Sequence, residues 1–498
     1  MRHRVLGLAI VFFALSFTAL AADQPPPMPP QELPAGAEVL TRGPVNEAFA
    51  EPVALETQEG FVAPSEPPPS IEEVPPARRP QGDRYTWVPG YWSWDGDRNG
   101  YIWVSACWRV APPDMYWVPG YWTRVHRGWE WIPGFWAPVG SQEMEYLPAA
   151  PAPMDIMAPG PAPYDDHVWV PGCWYWNQGR YMRRAGYWLR EQPGWVWVPS
   201  HYRRTPRGYV FIHGYWDYAF DDRGVLFAPV YFPHSVYGRV GFSFSPSIII
   251  DLGVLRINLF TYPRYNHYYF GDYYDDAYIR IGIYPQFHCD RVHTWYDPIY
   301  QYDRWQNRRT DPRWDEHRRQ DYDRRRADRT LRPPRTYREM ESRVRSMPVA
   351  QRKNIEVARP ISRDVVARQP SPVRYEQINT ETRQDVARQG TEVRKYRDER
   401  VKWERPAPST APAPARTPPA APAPAPPTTT RPGAEPVRAA PREVRPNQSE
   451  RVSIPASPVV GKPAAQAGGA QKARPAAPDN ERKYQEGQPR GQQKDKKK

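Results

Sequence analysis

The sequence predicts an all-β core: an antiparallel meander of short aromatic-rich hairpin repeats, flanked by disordered and partly helical segments. Three observations carry this expectation. An aromatic hexapeptide recurs at a nearly fixed interval, and Gly turn signals punctuate each interval. The stretches on either side are rich in Pro or in charge and lack a sustained apolar period.

The hexapeptide is Trp87-Val-Pro-Gly-Tyr-Trp92. Close copies are Trp103-Val-Ser-Ala-Cys-Trp108, Trp117-Val-Pro-Gly-Tyr-Trp122, Trp131-Ile-Pro-Gly-Phe-Trp136 and Trp169-Val-Pro-Gly-Cys-Trp174. Decayed copies start at Arg183, Trp197, Phe211 and Phe227. Start-to-start steps are 16, 14 and 14, then 38, then 14, 14, 14 and 16. Such self-similarity marks a stacked supersecondary unit, each copy burying a face that its neighbour supplies. The pattern resembles the WXXGXW (also YXWGXW) repeat family of exported bacterial proteins over residues 87–232. The resemblance implies no activity and no site residues.

Each repeat carries two turn signals. Pro119-Gly120 suits the centre of a type II turn, with Gly at φ > 0. A second Gly follows about eight residues later, as at Gly128, Gly179, Gly194 and Gly208. Between the turns, Trp129 and Trp131 share one face of a run while Glu130 and Ile132 share the other, a strand pattern. One hairpin per repeat is the expectation; the competing reading is a longer strand through each hexamer with Pro-Gly as a bulge. Phe242/Phe244, Leu255/Ile257/Leu259 and Ile279/Ile281/Ile283 continue the alternation and predict further half-buried strands.

The ends define the setting. Met1-Arg-His-Arg4 is a basic start, Val5–Leu20 is apolar, and Ala19-Leu-Ala21 offers small residues for cleavage after Ala21. Residues 1–21 therefore read as a signal peptide and the protein as exported, to the periplasm or the outer envelope and beyond, with no membrane span in the mature chain. Residues 22–80 read as an acidic Pro-rich linker, with ten acidic and three basic residues in 23–80. Array 1 occupies 81–140, a Pro/Ala-rich linker 141–166, and array 2 with a Tyr-rich β extension 167–300. Residues 301–405 form an Arg-rich region (29 basic, 18 acidic), and 406–498 a disordered Pro/Ala-rich basic tail (16 basic, 7 acidic). Helices are expected at Tyr337–Ser346 and from Thr380 to Glu404, the latter capped by Asn379 and stopped by Pro406. Its stripe of Val386, Val393 and Tyr396 reads as part of a solvated helix.

Chemical signatures are sparse. There is no Gly-x-Ser-x-Gly, phosphate loop or His-Glu-x-x-His. His288, Cys289 and His293 match no standard zinc spacing. Asp272, Asp275 and Asp276 read as a solvated acidic turn rather than a calcium loop or a hydrolase dyad. Accordingly no catalytic residue, metal or cofactor is expected. Cys107 and Cys173 share position five of the hexamer, a placement that permits a disulfide, against the plainer reading of two buried thiols. The candidate binding residues form an aromatic platform of Trp87, Trp92, Trp117, Trp122, Trp131, Trp136, Trp169 and Trp174, weighed against the same rings filling a thin core.

The sequence thus points to an exported, non-enzymatic envelope protein. Its β domain self-associates or binds a glycan, and its basic half, the source of the net +13 charge, contacts an anionic envelope polymer. The alternative is a carboxylate-dependent, glycan-acting hydrolase with its site in 240–300. Nucleic-acid binding ranks third and is not expected, because Trp and Arg are segregated along the chain.

Overall fold

The computed structural model describes residues 33–56, 59–366, 373–406, 449–460, 474–479 and 481. The signal peptide expected at 1–21, the Ala-Pro runs and the terminal Lys run lie outside these residues.

Two successive hexamers, not one, build the repeating unit. In the second unit Met115–Val118 pairs with Phe135–Pro138 as an outer arm, and Tyr121–Val125 pairs with Gly128–Ile132 as an inner arm. The ladder breaks at Pro119-Gly120 on one side and Pro133-Gly134 on the other, since Pro has no N–H to continue it. The result is one long hairpin divided at its Pro-Gly steps. The first unit (Tyr85–Val88 with Cys107–Val110, Tyr91–Asp95 with Gly100–Val104) has the same plan. So do the third (His167–Val170 with Tyr187–Arg190, Cys173–Asn177 with Arg180–Arg184) and the fourth (Trp195–Val198 with Tyr215–Tyr218, His201–Thr205 with Gly208–Ile212). The expectation of one hairpin per hexamer is corrected accordingly.

The register explains the spacing of the tryptophans. Position one of each hexamer lies opposite position six of its partner, giving the pairs Trp87–Trp108, Trp92–Trp103, Trp117–Trp136, Trp122–Trp131, Trp169–Trp188 and Trp197–Trp216. Their ring centroids lie 5.0–5.3 Å apart with planes inclined by 54–79°. Each such tilted or edge-to-face pair contributes about 0.5–1.5 kcal/mol beyond its buried area.

The type II turn expected at Pro119-Gly120 is also corrected. Gly90, Gly120, Gly134, Gly172, Gly186 and Gly214 do not have positive φ. They are glycines because a Cβ would collide: at Gly120 with the Trp131 ring and Glu47, at Gly134 with Trp117, at Gly186 with Trp169, at Gly214 with Trp197. The second set of turn glycines does take positive φ, and Gln178-Gly179 (φ 47° and 80°) makes a two-residue hairpin loop.

The ninth hexamer has no partner copy and joins the first unit instead. Gly224–Leu226 pairs with Cys107–Val110, and Val230–Tyr231 with Gly100–Val104. Other flanking strands cover further edges. Val62–Ala63 pairs with the second unit, Glu143–Leu147 with the fourth, and Glu450–Ser453 with Glu143–Leu147. Exposed strand edges invite non-native pairing, so this cover matters.

The segments read as linkers are therefore structural over their described parts. Val45, Phe49 and Val53, within 22–80, are buried in the main core. Within 406–498, Ile454 and Val459 are buried there too. The whole is mixed α and β rather than all-β. Leu255 and Ile257 lie in a helix, Leu252–Ile257, whose N-cap Asp251 accepts from Val254 N–H at 3.0 Å. Ile279 lies in the helix Asp276–Arg280. Alternation over three apolar residues is too short to separate strand from helix, and local capping decided. The strands nearby are Leu259–Tyr262 and His267–Phe270.

Helices then pack on the core, among them Pro298–Arg308 against the third and fourth units and Trp314–Ala327 against that helix and, through Tyr322, against Phe260, Tyr274 and Phe287. Tyr337–Ser346 and Thr380–Trp403 form as expected, the latter with Asn379 accepting from Thr382 N–H at 2.8 Å. Its stripe is not solvated: Val386, Val393 and Tyr396 are buried against the repeats. Arg400, fully buried, donates to the carbonyls of Pro119 and Pro133 at 2.8 and 3.0 Å. No helix among the described residues is long and apolar enough to cross a membrane.

Candidate functional site

Most of the hexamer tryptophans do not form an open platform. Trp87, Trp92, Trp117, Trp131 and Trp136 are at most 3% exposed and fill the core; Trp122, Trp169 and Trp174 are half-buried. The paired rings and the clash-free glycines beneath them account for that burial.

Several indoles instead serve as donors toward the Pro/Ala-rich segments. Trp92 Nε1 donates to the Pro69 carbonyl at 2.8 Å and Trp174 Nε1 to the Ala152 carbonyl at 2.8 Å. Trp169 Nε1 donates to the Asp155 carbonyl at 3.0 Å, and Trp216 Nε1 to the Ala476 carbonyl at 3.2 Å.

Each unit also places a carboxylate at its two position-four residues, and every one of these comes from outside the hexamers. Glu47 accepts from Gly120 and Gly134 N–H at 2.9 and 3.1 Å and from the Trp131 indole at 3.2 Å. Glu73 accepts from Gly90 N–H at 2.7 Å and Ala106 N–H at 3.0 Å. Asp155 accepts from Gly186 N–H at 3.4 Å and pairs with Arg183 at 2.6 Å. In the fourth unit Ser200 stands at position four; its hydroxyl accepts from Gly214 N–H at 2.7 Å and donates to Glu481 at 3.1 Å. Burial lifts Glu47 to about 7 and Glu73 to about 7, against the pull of the amide donors. The sequence reading missed all four acids, because a lone acid in a Pro-rich stretch carries no periodic signal.

One expected platform residue does face open space. A cavity of about 450 Å³ lies between the third unit and the helix Pro298–Arg308, walled on a further side by residues 156–165. Trp169 and Trp188 line it from the outer arm, and Trp295 and Trp305 from the strand Trp295–Tyr296 and the helix. The indole N–H groups of Trp295 and Trp305 are buried without an acceptor. The charged lining is balanced, with Asp165 and Asp290 against Arg304 and Arg308. Arg304 pairs with Asp290 at 3.4 Å and Asp315 at 3.2 Å. Such a site offers aromatic walls but no net charge, which suits a polar, uncharged ligand with apolar faces.

The remaining candidates are placed elsewhere. Asp272, Asp275 and Asp276 do not form a free acidic turn: Arg332 bridges Asp272 and Asp275 at 3.2 and 2.9 Å, Arg335 holds Asp272 at 3.0 Å, and Arg326 holds Asp276 at 2.6 Å. Burial would raise the Asp275 pKa, but the hydrogen bond and charge of Arg332, with Arg329, hold it below the usual carboxylate range. Among the described residues, no group of three or more His, Cys, Asp or Glu is arranged to hold a metal ion. The three cysteines are free thiols: Cys107 is buried opposite Val88 and Leu226, while half-buried Cys173 lies opposite Arg184 in another sheet. Burial pushes the Cys173 thiol up to about 12.

The match to known families falls on the units themselves. The family model described as WXXGXW repeat (2 copies) matches residues 84–109, 113–137, 165–188 and 193–216, each match spanning the two hexamers of one unit. No curated protein and no solved structure matches the chain. The stretch between residues 84 and 216 thus carries four copies of the WXXGXW repeat.

Proposed function

We propose that this is an exported, non-enzymatic interaction protein of the cell envelope, whose cavity beside the third repeat unit binds a neutral glycan. The observation that carries the reading is the cavity's lining, four tryptophans around about 450 Å³. Indole faces stack on the C–H faces of sugar rings, and Asp165, His167 and Gln301 in the lining offer polar partners to sugar hydroxyls. A volume within about 300–1,000 Å³ is the usual range for small-ligand sites. The apolar N-terminal run with its Ala21 site supports export, and the charge of the C-terminal segments supports contact with an anionic polymer.

The test is a titration of full-length mature protein with neutral oligosaccharides, followed by indole fluorescence. Ala162, an exposed residue of the cavity wall, is replaced by Trp to fill the space without touching the core. Saturable binding that A162W weakens at least tenfold supports the reading. Absence of binding, or binding indifferent to A162W, removes it. No observation favours the hydrolase alternative, since each of its three aspartates is engaged by arginine.

A further inference from the structure

Three of the four units hold a Pro- or Ala-containing segment through an indole-bound carbonyl and a following acid, the acid's partners differing from unit to unit. Pro67-Pro-Pro69-Ser-Ile-Glu-Glu73 gives its Pro69 carbonyl to an indole of the first unit and its Glu73 carboxylate to the position-four amides. Ala152-Pro-Met-Asp155 does the same on the third unit through Trp174 and Gly186. On the fourth unit the Ala476 carbonyl takes the Trp216 indole N–H, and Glu481, whose own N–H turns back to the Pro478 carbonyl at 2.8 Å, is held by the Ser200 hydroxyl and by Arg184 of the third unit at 2.6 Å. In each case a carbonyl is followed, three to five residues on, by an acid. A Pro-rich segment has few N–H donors but keeps its carbonyls, so a receptor for it must supply donors. The indoles do this, and paired backbone amides beside a close-packed Trp ring form a ready carboxylate site.

We propose that the two-hexamer unit is a receptor for a Pro/Ala-rich segment ending in an acid, and that the segment from Arg474 to Glu481 is a separable peptide ligand of the fourth unit, its acid shared with Arg184 of the third. Unlike the other two segments, this one follows every described part of the core in sequence. It meets the core through Ala477, packed against the cluster around Trp197 and Trp216, and through polar contacts. Besides those of Ala476 and Glu481, Arg474 pairs with Asp114 at 2.9 Å and donates to the Pro113 carbonyl at 3.2 Å. Glu481 is fully buried between Arg184 and Ser200, so the carboxylate is the anchor of the segment.

The experiment uses the full chain with Glu481→Ala and a fluorescent peptide of residues 474–485, read by anisotropy. The variant is expected to bind the peptide at least tenfold more tightly than the unaltered chain, whose own segment competes. A peptide carrying Glu481→Gln should lose at least tenfold, as should the receptor with Ser200→Ala added. Equal binding to both chains, equal binding of the Gln or a scrambled peptide, or no binding by a folded E481A chain overturns the proposal. Should E481A fail to fold, recovery of its near-ultraviolet aromatic signal on adding the peptide supports the proposal, and no recovery overturns it.

Discussion

Replacing Gly120 by Ala tests the account of the hexamer's glycine most directly. The added Cβ would lie 2.5 Å from a Trp131 ring carbon, 2.9 Å from Gly134 N and closer still to the Glu47 carboxylate. Overpacking a rigid core costs about 1–3 kcal/mol. Displacing Glu47 also strands a buried amide donor, at about 1–3 kcal/mol. The sum points to a loss of about 3–4 kcal/mol. Two controls separate packing from backbone conformation. Gly140 has φ +92° and nothing within 4 Å of a built Cβ, so G140A should cost only the left-handed strain, about 1 kcal/mol. Gly96 has neither constraint, and G96A should change stability by less than about 0.5 kcal/mol. Guanidinium denaturation of the full chain, followed by tryptophan fluorescence, measures all three. If G120A costs no more than G140A, the clash with Trp131 and Glu47 is not what requires glycine.

Three further outcomes follow from the same contacts. Glu47 titrates near 7 in the fold against 4.5 when free, so the folded state retains its proton; this contribution is full below pH 4.5 and fades as pH rises through 7, a difference of at most about 3 kcal/mol. Comparing urea unfolding of the E47Q variant and the unaltered chain at pH 5 and 7.5 should show the smaller fall in E47Q, and equal falls would refute the assignment. The fragment 81–300 lacks Glu47, Glu73 and Glu481 and is expected to melt without cooperativity, whereas 33–482 melts cooperatively by circular dichroism; a sharp transition for the shorter piece would show that the flanks are dispensable. Deleting 483–498, six basic against two acidic residues, should weaken binding to anionic vesicles at low salt and leave little difference at 0.5 M, where screening is nearly complete; unchanged binding at low salt would take the tail out of the interaction.

What the sequence made legible follows from the range of the forces involved. Period and turn chemistry are local, so the hexamer, the hairpin loop at Gln178-Gly179, the helix Tyr337–Ser346 and the helix capped by Asn379 could be read directly. The pairing of hexamers in twos is not local. It appears only when Trp87 faces Trp108 across a ladder, and equal 14-residue steps are silent about which neighbours pair. Composition misled for the same reason. The Pro-rich acidic stretch of 22–80 has no core-forming period of its own, yet Glu47 and Glu73 are taken up by amides more than 15 residues away. Of the cavity, only Trp169 was foreseen, since Trp295 and Trp305 reach it from a strand and a helix outside the repeat.

The decay of the later copies then has a structural logic. In units one and two the rings Trp103 and Trp131 press on Gly90 and Gly120 of the facing hexamer. In the fourth unit the corresponding ring is the smaller Phe211, and there Ser200 replaces the glycine. In the third, Arg183 stands in place of the ring, and no Trp atom is among the nearest contacts of Gly172. Both losses fall on inner arms, while the outer pairs Trp169–Trp188 and Trp197–Trp216 and their glycines, Gly186 and Gly214, persist. On the inner arms ring and glycine vary together, whereas on the outer arm of the first unit an intact Trp87 faces Ala106 in place of a glycine. Where the ring shrinks, space opens for a hydroxyl, and in the fourth unit that hydroxyl relays the Gly214 amide to Glu481 instead of leaving the amide to meet a carboxylate directly. The outer arm carries the packing that every unit retains, and the inner arm is where the units differ in what they bind.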